Sequence, residues 1–230
     1  MIKMKEEIKV EPSEELGYWI GIVQTDGSFK QYTDHDGNRQ FIISFCVSTK
    51  SLPMVQKFKE LSSKIFNRHC NLNQDRKRPS WYCGIGVTRL LKLFEKLEIK
   101  FGDPPVPPKW ILENQNYFGA YLAGVIDGDG CVYFNKGLNR IQNRIQITSG
   151  HMPIQLANAI RQKLNCGVSI QDGKERTFHL NGRYFNGKSF DLVFNVSGKN
   201  VEFMKRYVLN YVQILHKRER LEQFVKSLES

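Results

Sequence analysis

The sequence predicts an α+β protein built as two pseudo-symmetric halves. Each half reads as helix, two strands, helix, two strands, helix. Three observations support this. The run YLAGVIDGDG (residues 121–130) has an echo in YWIGIVQTDG (residues 18–27). The two share Tyr18/Tyr121, Gly21/Gly124, Asp26/Asp129 and Gly27/Gly130, and from Asp26 to Asp129 is 103 residues, a domain-sized repeat. The same order of apolar patterns follows each copy, and a proline-rich stretch divides them.

Residues 14–25 and 117–128 have helical periodicity, with small residues recurring at Gly17 and Gly21, and at Gly119, Ala120, Ala123 and Gly124. Helices lined with glycine and alanine can bring their backbones unusually close. Packed on each other, these two would form the interface between the halves and bring Asp26 and Asp129 together. Residues 41–48 (FIISFCVS) and 141–148 (IQNRIQIT) are strand-like. Each leads to a proline, Pro53 or Pro153, and then to a helical stretch, MVQKFKELSSKIF or IQLANAIRQKL. Alternating segments follow, WYCGIGVT and FDLVFNVS, and then the closing helices. The first of these is TRLLKLFEKLEI; the second is spread over VEFMKRYVLNYV and RERLEQFVKSLE.

Between the halves lies FGDPPVPPKW (residues 101–110), which holds four of the eight prolines and predicts a stiff, non-helical connector. The expected boundaries are 1–100 for the first half, 101–113 for the linker and 114–230 for the second half.

Composition narrows the function classes. Lys and Arg number 34 against 23 Asp and Glu, a formal charge of +11, with a pI near 9.4. So basic a chain favours a polyanionic partner, above all nucleic acid. No apolar run approaches the about 18 residues of a membrane span. The charged start, MIKMKEEIKVEPSEE, lacks an apolar secretory core, so the expected location is intracellular: cytoplasm, nucleoid or organelle matrix. Five cysteines with no CxxC pair predict reduced thiols rather than a disulfide frame or a zinc site.

The aspartates carry the chemistry. A single Asp-Gly at a helix end reads as a turn. Two copies, each ending a small-residue helix, ask for more. A carboxylate at a helix C-terminus meets the negative end of the dipole, and a second carboxylate beside it compounds the cost. A divalent cation reverses the sign of that problem, and paired carboxylates with free helix-end carbonyls make a hard oxygen site suited to Mg²⁺.

Leu122 to Gly130 closely resemble the nine-residue motif of the LAGLIDADG homing endonucleases, and Trp19 to Gly27 resemble it loosely. The resemblance spans nearly the whole chain, and two motifs in one chain resemble the monomeric branch. It implies two αββαββα units whose four-stranded sheets form a saddle over a long, asymmetric double-stranded DNA site, around a central two-helix interface. It implies Asp26 and Asp129, at the eighth motif position, as catalytic and metal-binding acids, with the backbone carbonyls of Thr25 and Gly128 also reaching the metals. The sixth position, Asp127 in one half and Gln24 in the other, is not the essential acid. The implied reaction is phosphodiester hydrolysis, one bond per strand, with short 3′ overhangs. Divalent cations activate water and stabilise the incoming and departing oxygens. Mg²⁺ is the expected cofactor, Mn²⁺ a substitute, and Ca²⁺ an ion that binds without supporting cleavage. Thr49, Lys50 and Ser149 match the family's pocket positions, with His151 close behind. Lys50 ranks first among the pocket lysines, ahead of Lys109 and Lys217.

Residues 140–147 alternate. Arg140, Gln142, Arg144 and Gln146 fall on one face, and Ile141, Asn143, Ile145 and Ile147 on the other. Arg and Gln suit guanine and adenine edges in the major groove. The matching strand of the first half offers Gln40, Ile42, Ser44 and Cys46, a poorer donor set. Strands leaving the motifs add Lys30, Tyr32, Tyr133 and Asn135. Two basic stretches read as loops contacting phosphate: 74–80, with Arg76, Lys77 and Arg78, and 173–188, with Arg176, Arg183 and Lys188.

Competing readings are an RNA maturase that assists intron splicing and a catalytically dead DNA-binding regulator. An intein-borne nuclease is a further alternative, but the ends lack the Cys or Ser start and His-Asn finish of splicing chemistry. The retained acids favour the nuclease, acting as a monomer.

Overall fold

Two four-stranded antiparallel sheets with helices packed on them make up the protein, and the two sheets share one topology. The computed structural model describes residues 9–229 apart from 77, 137–140, 181–182 and 199. In the first half, helix α1 (Glu14–Thr25) leads to β1 (Ser28–Thr33) and β2 (Arg39–Ser48). Helix α2 (Leu52–Phe66), β3 (Asn73–Gln74), β4 (Ser80–Gly86) and helix α3 (Leu91–Lys96) follow. A short helix, α4 (Lys109–Glu113), precedes the second motif helix, α5 (Gln115–Asp129). Then come β5 (Gly130–Lys136), β6 (Ile141–Ser149), α6 (Ile154–Leu164), β7 (Val168–Leu180) and β8 (Arg183–Asn195). Helical turns at α7 (Val201–Phe203) continue as π-helix through Val208, and α8 (Leu215–Glu229) closes the chain. The sheet orders are β1-β2-β4-β3 and β5-β6-β8-β7.

Local chemistry explains where these elements start and stop. Ser13 caps α1 by accepting from the Leu16 N–H at 3.2 Å, and Glu14 and Glu15 in the first turn complement the helix dipole. Asn114 caps α5, accepting from Asn116 N at 2.8 Å. Helices α2 and α6 both end on a left-handed asparagine, Asn67 at φ 51° and Asn165 at φ 49°, a repeat of the same C-terminal stop.

The halves fill their cores differently. In the first, Trp19 packs among Phe58, Phe66 and Phe94 and donates its indole N–H to Ser62 Oγ at 2.9 Å. In the second, buried Leu122, Leu156, Ile160 and Leu192 pack with Phe118, Phe194 and Phe224, and no tryptophan is among the buried residues described there. Among the described residues, no helix is long and apolar enough to cross a membrane.

Three expectations need correction. The linker is not wholly non-helical, because Lys109–Glu113 form α4. Proline is excluded from a helix interior but suits its start, and Pro108 is the N-cap. Residues 173–188 are not a loop either. They belong to β7 and β8, which pair as far as Leu180 opposite Arg183. The intervening Asn181-Gly182, flanked by strand-forming residues, is the sequence signature of a tight hairpin, and the surrounding charges obscured it. Finally, the cysteines are not all reduced. Cys70 and Cys83 form a disulfide, while Cys46, Cys131 and Cys166 are free. Spacing along the chain could not show that β4 returns to place Cys83 with its Cα 6.0 Å from that of Cys70.

Candidate active site

Helices α1 and α5 approach until their backbones touch. A Cβ on Gly21 would lie 2.3 Å from the Tyr121 carbonyl oxygen, and one on Gly124 would lie 2.4 Å from that of Tyr18. One turn on, a Cβ on Gly128 would overlap the Thr25 side chain. The small-residue stripe at 17, 21, 124 and 128 is therefore the contact between the helices. Gly119 is not part of it, since it faces Tyr207.

This interlock brings the two C-terminal ends together. Asp26 is the C-cap of α1, and Asp129 is the last residue of α5. Burial pushes the Asp26 carboxyl up, opposed by the positive charge of Lys217. Asp129 is pushed up to about 7 by burial, then by the negative charges of Asp26 and Asp103, again opposed by Lys217. The acids thus lie within electrostatic reach of each other and resist carrying their charges.

The sixth motif positions cross-link the halves. The Tyr18 hydroxyl donates to Asp127 Oδ2 at 2.8 Å, and the Tyr121 hydroxyl donates to Gln24 Oε1 at 2.8 Å. Asp127 also accepts from the Gln213 and Ile214 N–H groups at 2.7 and 3.1 Å. Burial raises its carboxyl to about 6 despite these bonds. Gln24 instead donates its amide to the carbonyls of Lys100 and Val106 at 2.7 and 2.9 Å, and accepts from Val106 N at 3.2 Å.

Of the three candidate lysines, Lys217 is the one placed at the acids. It is 9% exposed, and its ammonium donates to the carbonyls of Ile126, Asp127 and Gly128 at 2.8, 2.7 and 3.2 Å. Burial lowers its pKa, opposed by Asp127, Asp26 and Asp129. Lys50, ranked first from sequence, sits in the exposed turn Thr49–Ser51, where its charge acts on His216. Lys109 lines an apolar cavity of about 730 Å³ with Phe29, Phe94, Pro107 and Pro108. Sequence position did not bring out this placement of Lys217, because α8 reaches the end of α5 from a part of the chain with no counterpart in the first half.

Asp26 opens onto the first sheet. Asp26 lines a groove of about 590 Å³ with Ser28, Lys30, Ile42, Ser44 and Tyr82. Register places Lys30 opposite Ile42 and Tyr32 opposite Gln40 on that sheet. The Gln40 amide is bound by the Asp34 carboxylate at 2.9 Å. On the second sheet, Tyr133 pairs with Arg144 and Asn135 with Gln142. The Arg144 guanidinium lies 4.9 Å from the Tyr133 ring centre and donates to Gln146 Oε1 at 2.8 Å. Asn143, Ile145 and Ile147 face the core, as alternation predicts. Arg76 and Arg78 are exposed in the turn before β4. Arg176 pairs with Gly187 and Arg183 with Leu180 along the long hairpin. Lys188 falls on the strand positions that continue Leu192 and Phe194, not on those aligned with Arg144, and its ammonium binds Asp172 at 2.9 Å. Lys77 and Arg140 lie outside the described residues.

Sequence reasoning missed one acid. Asp103, in the linker, accepts from the Ser149 hydroxyl and the Gly150 N–H, and its Oδ2 lies 3.6 Å from His151 Nδ1. Nothing in the linker's composition distinguished it from an ordinary turn aspartate.

The chain has the fold of the LAGLIDADG homing endonucleases. It is similar to I-DmoI in complex with DNA and Mn, at a TM-score of 0.54 and 13% identity, over 85% of this chain and 96% of that one. It is also similar to I-LtrWI bound to target DNA (TM-score 0.53, 14% identity, 94% and 91% of the two chains). A third similar structure is I-AabMI bound to uncleaved DNA (TM-score 0.55, 12% identity, 91% of each chain). No family model matches the sequence.

Proposed function

We propose that the chain is a monomeric LAGLIDADG homing endonuclease, a site-specific enzyme that cuts both strands of a long asymmetric DNA site with the help of divalent cations. The observation that carries this reading is the pair of part-buried carboxylates, Asp26 and Asp129, joined by interlocked helices beneath two open sheets. Two carboxyls pushed up by burial, one of them further by the charge of the other, make a poor structural device. They make a good one where a cation is to be held, because bound positive charge converts their repulsion into attraction.

The donor set fits such an ion. Asp26 and Asp129 supply hard oxygens, and the Thr25 carbonyl lies at the end of α1, while the Gly128 carbonyl already accepts from the Lys217 ammonium at 3.2 Å. Among the described residues no group of three or more His, Cys, Asp and Glu is arranged to hold a metal. The remaining ligands would therefore be carbonyls, water and phosphate oxygens of the substrate. When bound, Mg²⁺ or Mn²⁺ would supply Lewis-acid stabilisation of the attacking and departing oxygens. Lys217 contributes a fixed positive charge beside both acids. It holds the end of α5 rigid through three carbonyls. Lys30, Tyr32, Gln40 and Ser44 on one sheet, and Tyr133, Arg144 and Gln146 on the other, would meet base edges. Arg76 and Arg78 would meet phosphates.

The test is a cleavage selection from a randomised duplex library, with Mg²⁺ against EDTA. Double-strand cutting that requires the cation is expected. Asp26→Asn and Asp129→Asn should each slow it by more than about a thousandfold, or ~4 kcal/mol of barrier, while DNA binding persists. Tight duplex binding with no cutting by the unaltered chain would point to a DNA-binding regulator. Binding that prefers a structured RNA would point to a maturase.

A further inference from the structure

We propose that Asp103 is a positioning residue for the Asp129 side of the site alone, and that its loss slows the cutting of one DNA strand more than the other. This rests on the nuclease reading above and assigns a role within it to the segment that joins the halves.

The geometry is specific. One carboxylate gathers two donors at the end of β6, with an imidazole beside them. Its Oδ1 takes the Ser149 hydroxyl, its Oδ2 takes the Gly150 N–H, and the His151 ring nitrogen stands 3.6 Å from Oδ2. Ser149 is buried, and its oxygen accepts from the His151 N–H at 3.3 Å, so the corner is drawn into one compact arrangement around Asp103. Gly150 makes this approach possible, because a Cβ there would sit 2.7 Å from Asp103 Oδ2. The His151 side chain is 76% exposed, so the corner that Asp103 shapes is open to an incoming strand. Asp103 is also close enough to Asp129 for its charge to act there.

The first half is built differently at the same place. After β2 the corner is Thr49–Ser51, where the Thr49 hydroxyl makes a long, neutral bond of 3.4 Å to the Pro79 carbonyl. The reason is topological. A chain with two halves has a single connector, and a side chain on it can serve only one of them. Hydrogen bonds to a charged group are the strong ones, so removing Asp103 should loosen the Ser149–His151 corner and leave Thr49–Ser51 untouched.

The experiment uses the full chain and a duplex obtained by the cleavage selection, with each strand labelled separately. Single-turnover nicking of both strands is compared for wild type, Asp103→Asn, Asp103→Ala and Gly150→Ala. With Asp103→Ala, one strand should slow by at least about tenfold, the scale of one charge-assisted hydrogen bond, with the other within about twofold. Asp103→Asn keeps one acceptor oxygen for Ser149 and should fall between. Gly150→Ala, which pushes the carboxylate away, should reproduce the same strand bias. Parallel slowing of both strands, with or without a fall in Tm, would show a general structural role and overturn the proposal. Unchanged rates would overturn it too. If Asp103→Ala does not fold, the strand ratio of Asp103→Asn decides. If the unaltered chain cuts neither strand, the nuclease reading fails and this one falls with it. A wild type that cuts both strands, with variants that show no bias, removes this proposal alone.

Discussion

The ends of α1 and α5 carry the same aspartate but are held by different means. At α5 the last carbonyls are taken by the Lys217 ammonium. At α1 the Thr25 hydroxyl folds back onto the carbonyls of Gly21 and Ile22 at 2.9 and 3.2 Å, and among the described residues no lysine binds its last carbonyls. The sixth motif position differs for a related reason. Asp127 meets donors only: two backbone N–H groups and the Tyr18 hydroxyl. Gln24 meets two carbonyls as well as two donors, and only an amide can serve both. The two-fold repeat is thus kept where both helices must meet and both acids must converge. It is relaxed where the connecting chain arrives, as a linker on one side and as the approach to α8 on the other.

The shared part of this arrangement can be broken first. Gly21→Ala drives a methyl group into the Tyr121 carbonyl, and Gly124→Ala drives one into that of Tyr18. These are backbone atoms that cannot rotate aside. Each change should cost more than about 3 kcal/mol, lowering Tm by roughly 6–12 °C for a chain of this size. Gly86→Ala, where an added Cβ meets nothing within 4 Å, is the control and should leave Tm near its original value. Equal melting of Gly21→Ala and Gly86→Ala would show that the helices are not in backbone contact in solution.

The asymmetric part can be sharpened by pH. Asp129 has a folded pKa of about 7 against an ordinary 3.8, so between those values the unfolded chain has already lost a proton that the folded chain retains. Stability of the cation-free protein should therefore fall as pH rises from about 4 to 7, by up to about 4 kcal/mol relative to Asp129→Asn. Lys217 opposes this by lowering the pKa of both acids, so Lys217→Met should steepen the decline. Added Mg²⁺ favours the charged carboxylates and should flatten it. Denaturant unfolding across the pH range, with and without the ion, measures all three. A wild-type curve parallel to that of Asp129→Asn would mean that neither burial nor the neighbouring acids hold the Asp129 carboxyl above its ordinary value.

Much of this architecture was legible in the sequence. Period and repeat located both motif helices, and alternation assigned the faces of β6, because burial imposes those patterns directly. Three features stayed hidden, each for its own reason. The pairing of β7 with β8 was masked by charge, although Asn181-Gly182 between them is a tight-turn signature in the sequence. The placement of Lys217 depends on α8 folding back across α5, a contact 89 to 91 residues apart in the chain. Asp103 lies among prolines, and its role emerges only when the end of β6 meets it. Local pattern reports local structure, whereas the groups that distinguish one half from the other come from long-range returns of the chain.

The smallest expected effects separate the two sheets as readers of DNA. Four residues after each acid stand Lys30 and Tyr133, and opposite them in register stand Ile42 and Arg144. The second sheet therefore presents a guanidinium already oriented by the Tyr133 ring and Gln146, where the first presents an aliphatic side chain. Discrimination should be sharper beneath the second sheet. Arg144→Ala should weaken binding by about 1–3 kcal/mol at one base pair and relax the preference there. Arg78→Ala, in the exposed turn before β4, should weaken all sequences alike and reduce the slope of log affinity against log salt by about one. Binding measured over a panel of single-base variants at several salt concentrations distinguishes the two. Uniform loss across the panel for Arg144→Ala would place that guanidinium on phosphate and erase the expected difference between the sheets.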